Sequence, residues 1–312
     1  MPKRAFISYG CVVFFLALVG GCRREPVARS TPNIVRAVVT ILPQAYFVER
    51  VGGPRVAVQV LVGSSQSYHS YEPTPRQIAD LSEAQVFFTI GIPFEHALVE
   101  KVRSTRHHLV RVDLREGMPL REATDHCAHE DHDHGDAKDP HIWLDAKLVK
   151  LQAATIAAAL AKLDPSHADE YEKNLRAFHA DLAAADARAA AALAPFKGRE
   201  FFVFHPTFGY FGDAYGLKQV AVEEGGKEPG GRQLASMIEQ ARKAGARAIF
   251  GQPQFSSSAA RTVAAEIGAE VVTIDPLARD YLTNYVAMAE KIAASLRSTT
   301  DQATDRVTQA QR

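Results

Sequence analysis

Residues 125–145 read DHCAHEDHDHGDAKDPHIWLD and hold the densest set of metal-binding side chains in the chain. His126, Cys127, His129, His132 and His134 lie among acids, and His141 follows at the head of an apolar run. Neutral imidazole is the commonest protein metal ligand, and thiolates and carboxylates are the others. The two halves of this segment differ in kind. Residues 125–136 offer little apolar anchorage and are expected to form a loop that collects metal from solution. His141 precedes Ile142, Trp143 and Leu144, which are expected to pin the backbone and give a rigid position.

Three further side chains share a second property: each follows a predicted strand. His69 lies in HSYEP, His205 in HPTFGYF and Asp275 in IDPLA. In open α/β sheets, ligands bind beyond the carboxyl ends of the strands. Singly these residues are weak signals, since a lone histidine is more often a satisfied structural group and an Asp before Pro more often a turn former. Taken together, His69, His141, His205 and Asp275 supply three imidazoles and one carboxylate, two from each half of the chain. That set suits tetrahedral Zn²⁺. Asp280 competes with Asp275 for the carboxylate role, and its position at the strand end favours Asp275. Glu72 sits near His69, while Glu223 and Glu224, ahead of Gly225 and Gly226, read as a solvated acidic turn. Four protein ligands would leave no position for an activated water, which favours binding over hydrolysis. The sequence contains neither HExxH nor GxSxG, so a zinc hydrolase is the weaker reading and the chain is not expected to be an enzyme.

The elements that must position these residues alternate. Strands are expected at 34–41, 56–62, 86–90 and 109–114, with helices at 43–51, 76–84 and 94–103 between them. The strands are nearly continuous apolar runs, the mark of buried parallel strands in an α/β layer architecture. A helix at 146–163 follows. Residues 166–193 contain neither Gly nor Pro and predict one helix of about 40 Å. Alternation then resumes with strands at 201–204, 219–222, 246–250 and 271–274, and helices at 208–215, 233–244, 256–267 and 285–296. The expected fold is two α/β lobes with parallel-rich sheets, joined by one long rigid backbone helix. The first lobe is placed at 34–164, the linking helix at 165–195 and the second lobe at 196–297. The polar stretch 298–312 is expected to be disordered.

The N-terminal residues read as an address. Lys3 and Arg4 precede an apolar run at 11–19 that closes on Gly20, Gly21 and Cys22. This is the pattern of a secretory signal at 1–22, too short for a comfortable membrane span. Val19-Gly20-Gly21-Cys22 also resembles a bacterial lipoprotein box, with Cys22 as the lipidated residue and 23–33 as a tether. The expected location is periplasmic or otherwise extracytoplasmic, with a lipid anchor on the membrane. Of the three cysteines, Cys11 would leave with the signal and Cys22 would carry lipid, so Cys127 is better read as a metal ligand than a disulfide partner. The chain has 36 basic and 36 acidic residues, a balance that gives no footprint for nucleic acid.

HSYEP, DPHIWLD, HPTFGYF and TIDPLA, in this order, resemble the zinc-uptake solute-binding proteins of metal ABC transporters. The resemblance covers nearly all of the expected mature chain. It implies two lobes joined by one long helix with little closure on binding, a monomer, and delivery of Zn²⁺ to a membrane permease. It also implies His69, His141, His205 and Asp275 as ligands. Manganese-binding members usually carry a carboxylate in place of the third histidine, so His205 and the histidine-rich loop point to zinc rather than Mn²⁺ or Fe²⁺. Cys127 within that loop departs from the family pattern. The alternatives are an Mn²⁺ or Fe²⁺ carrier of the same family and a periplasmic metal buffer without a transporter.

Overall fold

The computed structural model describes residues 1, 34–104, 108–122, 138–223, 230–256 and 258–297. The expected signal and tether, Cys22, the histidine-rich loop with His126, Cys127, His129, His132 and His134, Glu224 and the tail at 298–312 lie outside the described residues. Strands β1 (Val35–Val39), β2 (Val56–Val60), β3 (Val86–Thr89) and β4 (Val110–Asp113) form a parallel sheet in the order β2-β1-β3-β4. Helices α1 (Leu42–Gly52), α2 (Pro75–Ser82) and α3 (Pro93–Arg103) make the crossovers. Each carries Pro in its first turn, where the missing N–H would find no helical partner in any case. Gly53, with φ of 55°, stops α1. Thr74 caps α2 by accepting from Gln77 N at 3.3 Å, one of the bonds that a bare helix start lacks.

The second half repeats the plan. β5 (Glu200–Val203), β6 (Lys218–Ala221), β7 (Ala248–Gly251) and β8 (Glu270–Thr273) are again parallel, in the order β6-β5-β7-β8. Between the two sheets run α4 (Ala146–Leu163) and α5 (Ala168–Leu193), and α6 (Gly209–Tyr215), α7 (Gly231–Lys243), α8 (Ser258–Ile267) and α9 (Tyr281–Leu296) complete the second lobe. No helix among the described residues is long and apolar enough to cross a membrane.

The 26 residues of α5 span about 39 Å at 1.5 Å per residue. Its buried positions, Tyr171, Leu175, Phe178, Leu182, Ala185, Ala189 and Leu193, recur every three or four residues and form one stripe. The helix packs against α1, α4 and α9. The helix is therefore a spine that both lobes cover, not a bare connector. One apolar cluster runs without a break from Val35 and Val38 through Trp143 and Phe178 to Phe201, Phe211 and Tyr285. Strand β5 shows how the cluster is divided: Phe201 and Val203 face it, while Phe202 and Phe204 enter a smaller cluster under α7 and α8. This is the two-residue alternation of a strand. Helix α9 starts at Tyr281, four residues before the expected 285. Tyr281 and Tyr285, one turn apart, both belong to its buried stripe, and the polar Thr283 and Asn284 between them hid that stripe in the sequence.

Candidate metal centre

The three histidines singled out in the sequence meet at one point. His69 sits on a 3₁₀ turn (Tyr68–Ser70) beyond β2, where Ser67 Oγ accepts its backbone N–H at 3.3 Å. His205 lies two residues past β5, and Gln252, just past β7, fixes its backbone on both sides. Gln252 Oε1 accepts from His205 N at 3.2 Å and Gln252 Nε2 donates to His205 O at 2.8 Å. His141 precedes the 3₁₀ turn Ile142–Leu144. The candidate ligand atoms of the three lie within 4.8 Å of one another, and Nε2 of His69 is 3.0 Å from Nε2 of His205.

The opposite ring nitrogens are held by buried carboxylates. Asp139 Oδ1 lies 2.6 Å from His141 Nδ1 and accepts from His141 N at 2.9 Å. Glu223 Oε2 lies 2.8 Å from His205 Nδ1. A carboxylate accepting the Nδ1–H leaves the Nε2 lone pair facing the centre and makes it more basic. Two buried anions behind the imidazoles also give the centre a field that favours a cation. Burial holds His205 below the usual histidine range even with Glu223 beside it, so its ring is neutral, and able to ligate, at neutral pH. The Phe255 ring stacks on His205 with centroids 4.3 Å apart and fixes its plane. The Tyr68 hydroxyl contacts His141 Nε2.

His141 is fully buried, and its segment is bolted to the second lobe. Trp143 Nε1 donates to Pro276 O at 2.9 Å, Tyr281 OH to Trp143 O at 2.7 Å, and Tyr210 OH to Asp139 O at 3.0 Å. Glu223 needs correcting. It is 5% exposed and engages His205, so it is no solvated turn. The fourth expected ligand stands apart. Asp275 follows β8 as expected but is not in the group of three. Its Oδ1 accepts from Gln254 Nε2 at 2.8 Å and from Leu277 N at 2.9 Å. Asp280 and Glu72 are exposed, Asp280 at the start of α9. Sequence reasoning missed Asp139 and Phe255 and misjudged Glu223. Asp139 had a signal, two residues before His141 in DPH. Glu223 had one too, two residues past the end of β6, the same strand-end position that revealed His205.

A family model described as zinc-uptake complex component A, periplasmic (ZnuA) matches residues 37–299. The chain belongs to the ZnuA family of zinc-uptake solute-binding proteins. The high-affinity zinc uptake system protein ZnuA of Bacillus subtilis is 30% identical over 283 residues, covering 87% of each chain. The zinc-binding lipoprotein AdcA of Streptococcus pneumoniae is 29% identical over 94% of this chain and 60% of its own length. Among solved structures, a ZnuA is 40% identical with a TM-score of 0.79, covering 85% of this chain and all of its own. A deletion mutant of ZnuA solved with zinc bound gives 39% and 0.79. Two parallel α/β lobes around a long helix are thus the architecture this ZnuA-family chain shares with its solved relatives.

Proposed function

We propose that this chain binds Zn²⁺ with high affinity through His69, His141 and His205 and delivers it to the permease of an ABC transporter. The observation that carries this reading is the convergence of three imidazoles whose two most buried members are each backed by a buried carboxylate. Imidazole suits zinc, and neutral imidazoles are what a divalent ion needs. Family membership supplies the transport role. Three protein ligands, unlike four, do not by themselves exclude an activated water. The carboxylates favour binding instead. Among the described residues, both buried acids at the centre face histidine Nδ1 atoms, so neither is placed to act as a general base.

The lipobox-like sequence ending at Cys22 supports an extracytoplasmic protein anchored by lipid. The loop at 125–136, with Cys127, would raise the local zinc concentration without forming the tight site. Native mass spectrometry of the mature chain titrated with zinc tests this division. One tight ion that survives deletion of 125–136 and is lost or weakened more than about 100-fold by His205→Ala is expected, a loss beyond that of an outer partner. A tight ion that vanishes with the loop and ignores His205→Ala would make the protein a loop-based metal buffer.

A further inference from the structure

Gln254 lies on the segment after β7, three residues beyond the end of that strand. Its Nε2 donates in two directions, to Asp275 Oδ1 at 2.8 Å and to Ser64 O at 2.8 Å. Ser64 belongs to the first-lobe segment that leads into Tyr68 and His69, so this one amide spans both lobes. Both partners are acceptors, which fixes the amide orientation: turned over, its oxygen would face a carboxylate and a carbonyl. The Oε1 atom is meanwhile buried with no hydrogen-bond partner among the described residues. Leu277 N adds a second donor to the same Asp275 oxygen, so the carboxylate that follows β8 is held in a frame of its own.

We propose that Gln254 is a specificity-determining residue: by holding Asp275 out of the coordination sphere it keeps the centre a three-imidazole site and so favours Zn²⁺ over Mn²⁺. This rests on the zinc-binding reading above. Nitrogen donors discriminate strongly in favour of zinc, whereas carboxylate oxygen suits manganese. Admitting Asp275 as a ligand would therefore help manganese proportionately more. Removing the Gln254 donors frees the carboxylate to turn about its remaining bond to Leu277 N.

The test is competitive loading of Zn²⁺ and Mn²⁺ onto the mature wild-type chain, Gln254→Leu, Asp275→Asn and the double variant, read by native mass spectrometry. Visible absorption of the Co²⁺-loaded proteins reports the ligand set. Relative Mn²⁺ affinity should rise about tenfold in Gln254→Leu, with a changed Co²⁺ spectrum, and return to the wild-type value in the double variant. Asp275→Asn alone should move zinc affinity by less than about threefold, as expected for a group outside the coordination sphere. Gln254→Ala serves the same purpose should Gln254→Leu not fold. A Mn²⁺ to Zn²⁺ ratio unchanged in the Gln254 variants overturns the proposal. So does an Asp275→Asn variant as crippled for zinc as His205→Ala, because Asp275 would then already be a ligand. A wild-type chain that takes up no tight zinc overturns the functional reading itself, which separates the two failures.

Discussion

The two sheets share one strand order, yet the crevices at their carboxyl ends are filled in opposite ways. In both, the order reverses about the first strand, which opens a crevice between β1 and β3 in one sheet and between β5 and β7 in the other. The first crevice is sealed. Glu95, at the start of α3, accepts from Ile90 N, Gly91 N and Ile92 N at 2.7 to 3.1 Å and from the Thr40 hydroxyl. Gln44 fills the rest, accepting from Thr40 N and Ile41 N and donating to Phe88 O. Gly91, with φ of 81°, lets that loop turn tightly under Arg115, whose guanidinium a Cβ would strike. The second crevice is open to chemistry. There the carboxylate is Glu223, and it points at an imidazole rather than at backbone amides. The same topology therefore makes a structural plug when a carboxylate ties its own loop together and half of a metal centre when it backs a histidine.

That contrast yields its largest expected effect in zinc affinity. Glu223→Ala should weaken zinc binding about 10–100-fold, the usual effect of removing the partner of a ligand histidine. Glu95→Gln should leave it within about threefold. Isothermal titration with a competing chelator measures both, and equal losses would erase the distinction between the crevices.

The crevices should also respond to pH with opposite sign. Burial pushes Glu95 up to about 7, so the folded chain binds its proton more tightly than the unfolded one. Its contribution is fully present below the unfolded value near 4.5 and is lost as pH rises through about 7. Thermal melts should find the destabilisation by Glu95→Gln about 2 kcal/mol larger at pH 5 than at pH 8. His205 is shifted down by burial. The unfolded chain then takes up a proton at the ordinary histidine value near 6.5 while the folded one does not, so the contribution of His205 to metal-free stability falls as pH drops below about 6.5. His205→Phe should flatten that part of the profile. A difference between the wild-type and His205→Phe profiles of the reverse sign would contradict the burial of this ring. The smallest effect belongs to Thr74→Ala, at the cap of α2: about 1 kcal/mol of stability, with zinc affinity unchanged.

Much of this architecture was legible in the sequence because its signals are local. The strands are unbroken β-branched and aromatic runs, and Gly53, Gly63, Pro75, Pro93 and Pro165 punctuate them. The stretch without Gly or Pro became α5 nearly residue for residue. His69, His141 and His205 stood out because strand ends and stiff neighbours are visible in one dimension. What stayed hidden depends on contacts between distant residues. Glu223 looked like a turn because nothing nearby announces that His205, 18 positions earlier, lies 2.8 Å from it. Asp275 looked like a ligand because it follows a strand, but its carboxylate accepts from Gln254, 21 positions earlier, and from Leu277 N. The burial of His141 depends on Pro276 and Tyr281, more than 130 positions later.

The most direct measurement is zinc K-edge X-ray absorption on the mature chain loaded with one equivalent of zinc. Imidazole scattering with nitrogen or oxygen neighbours at about 2.0 Å and no sulfur shell is expected from a centre built on His69, His141 and His205. A sulfur neighbour at about 2.3 Å would place the ion on Cys127 rather than on the three histidines alone, and contradict the account.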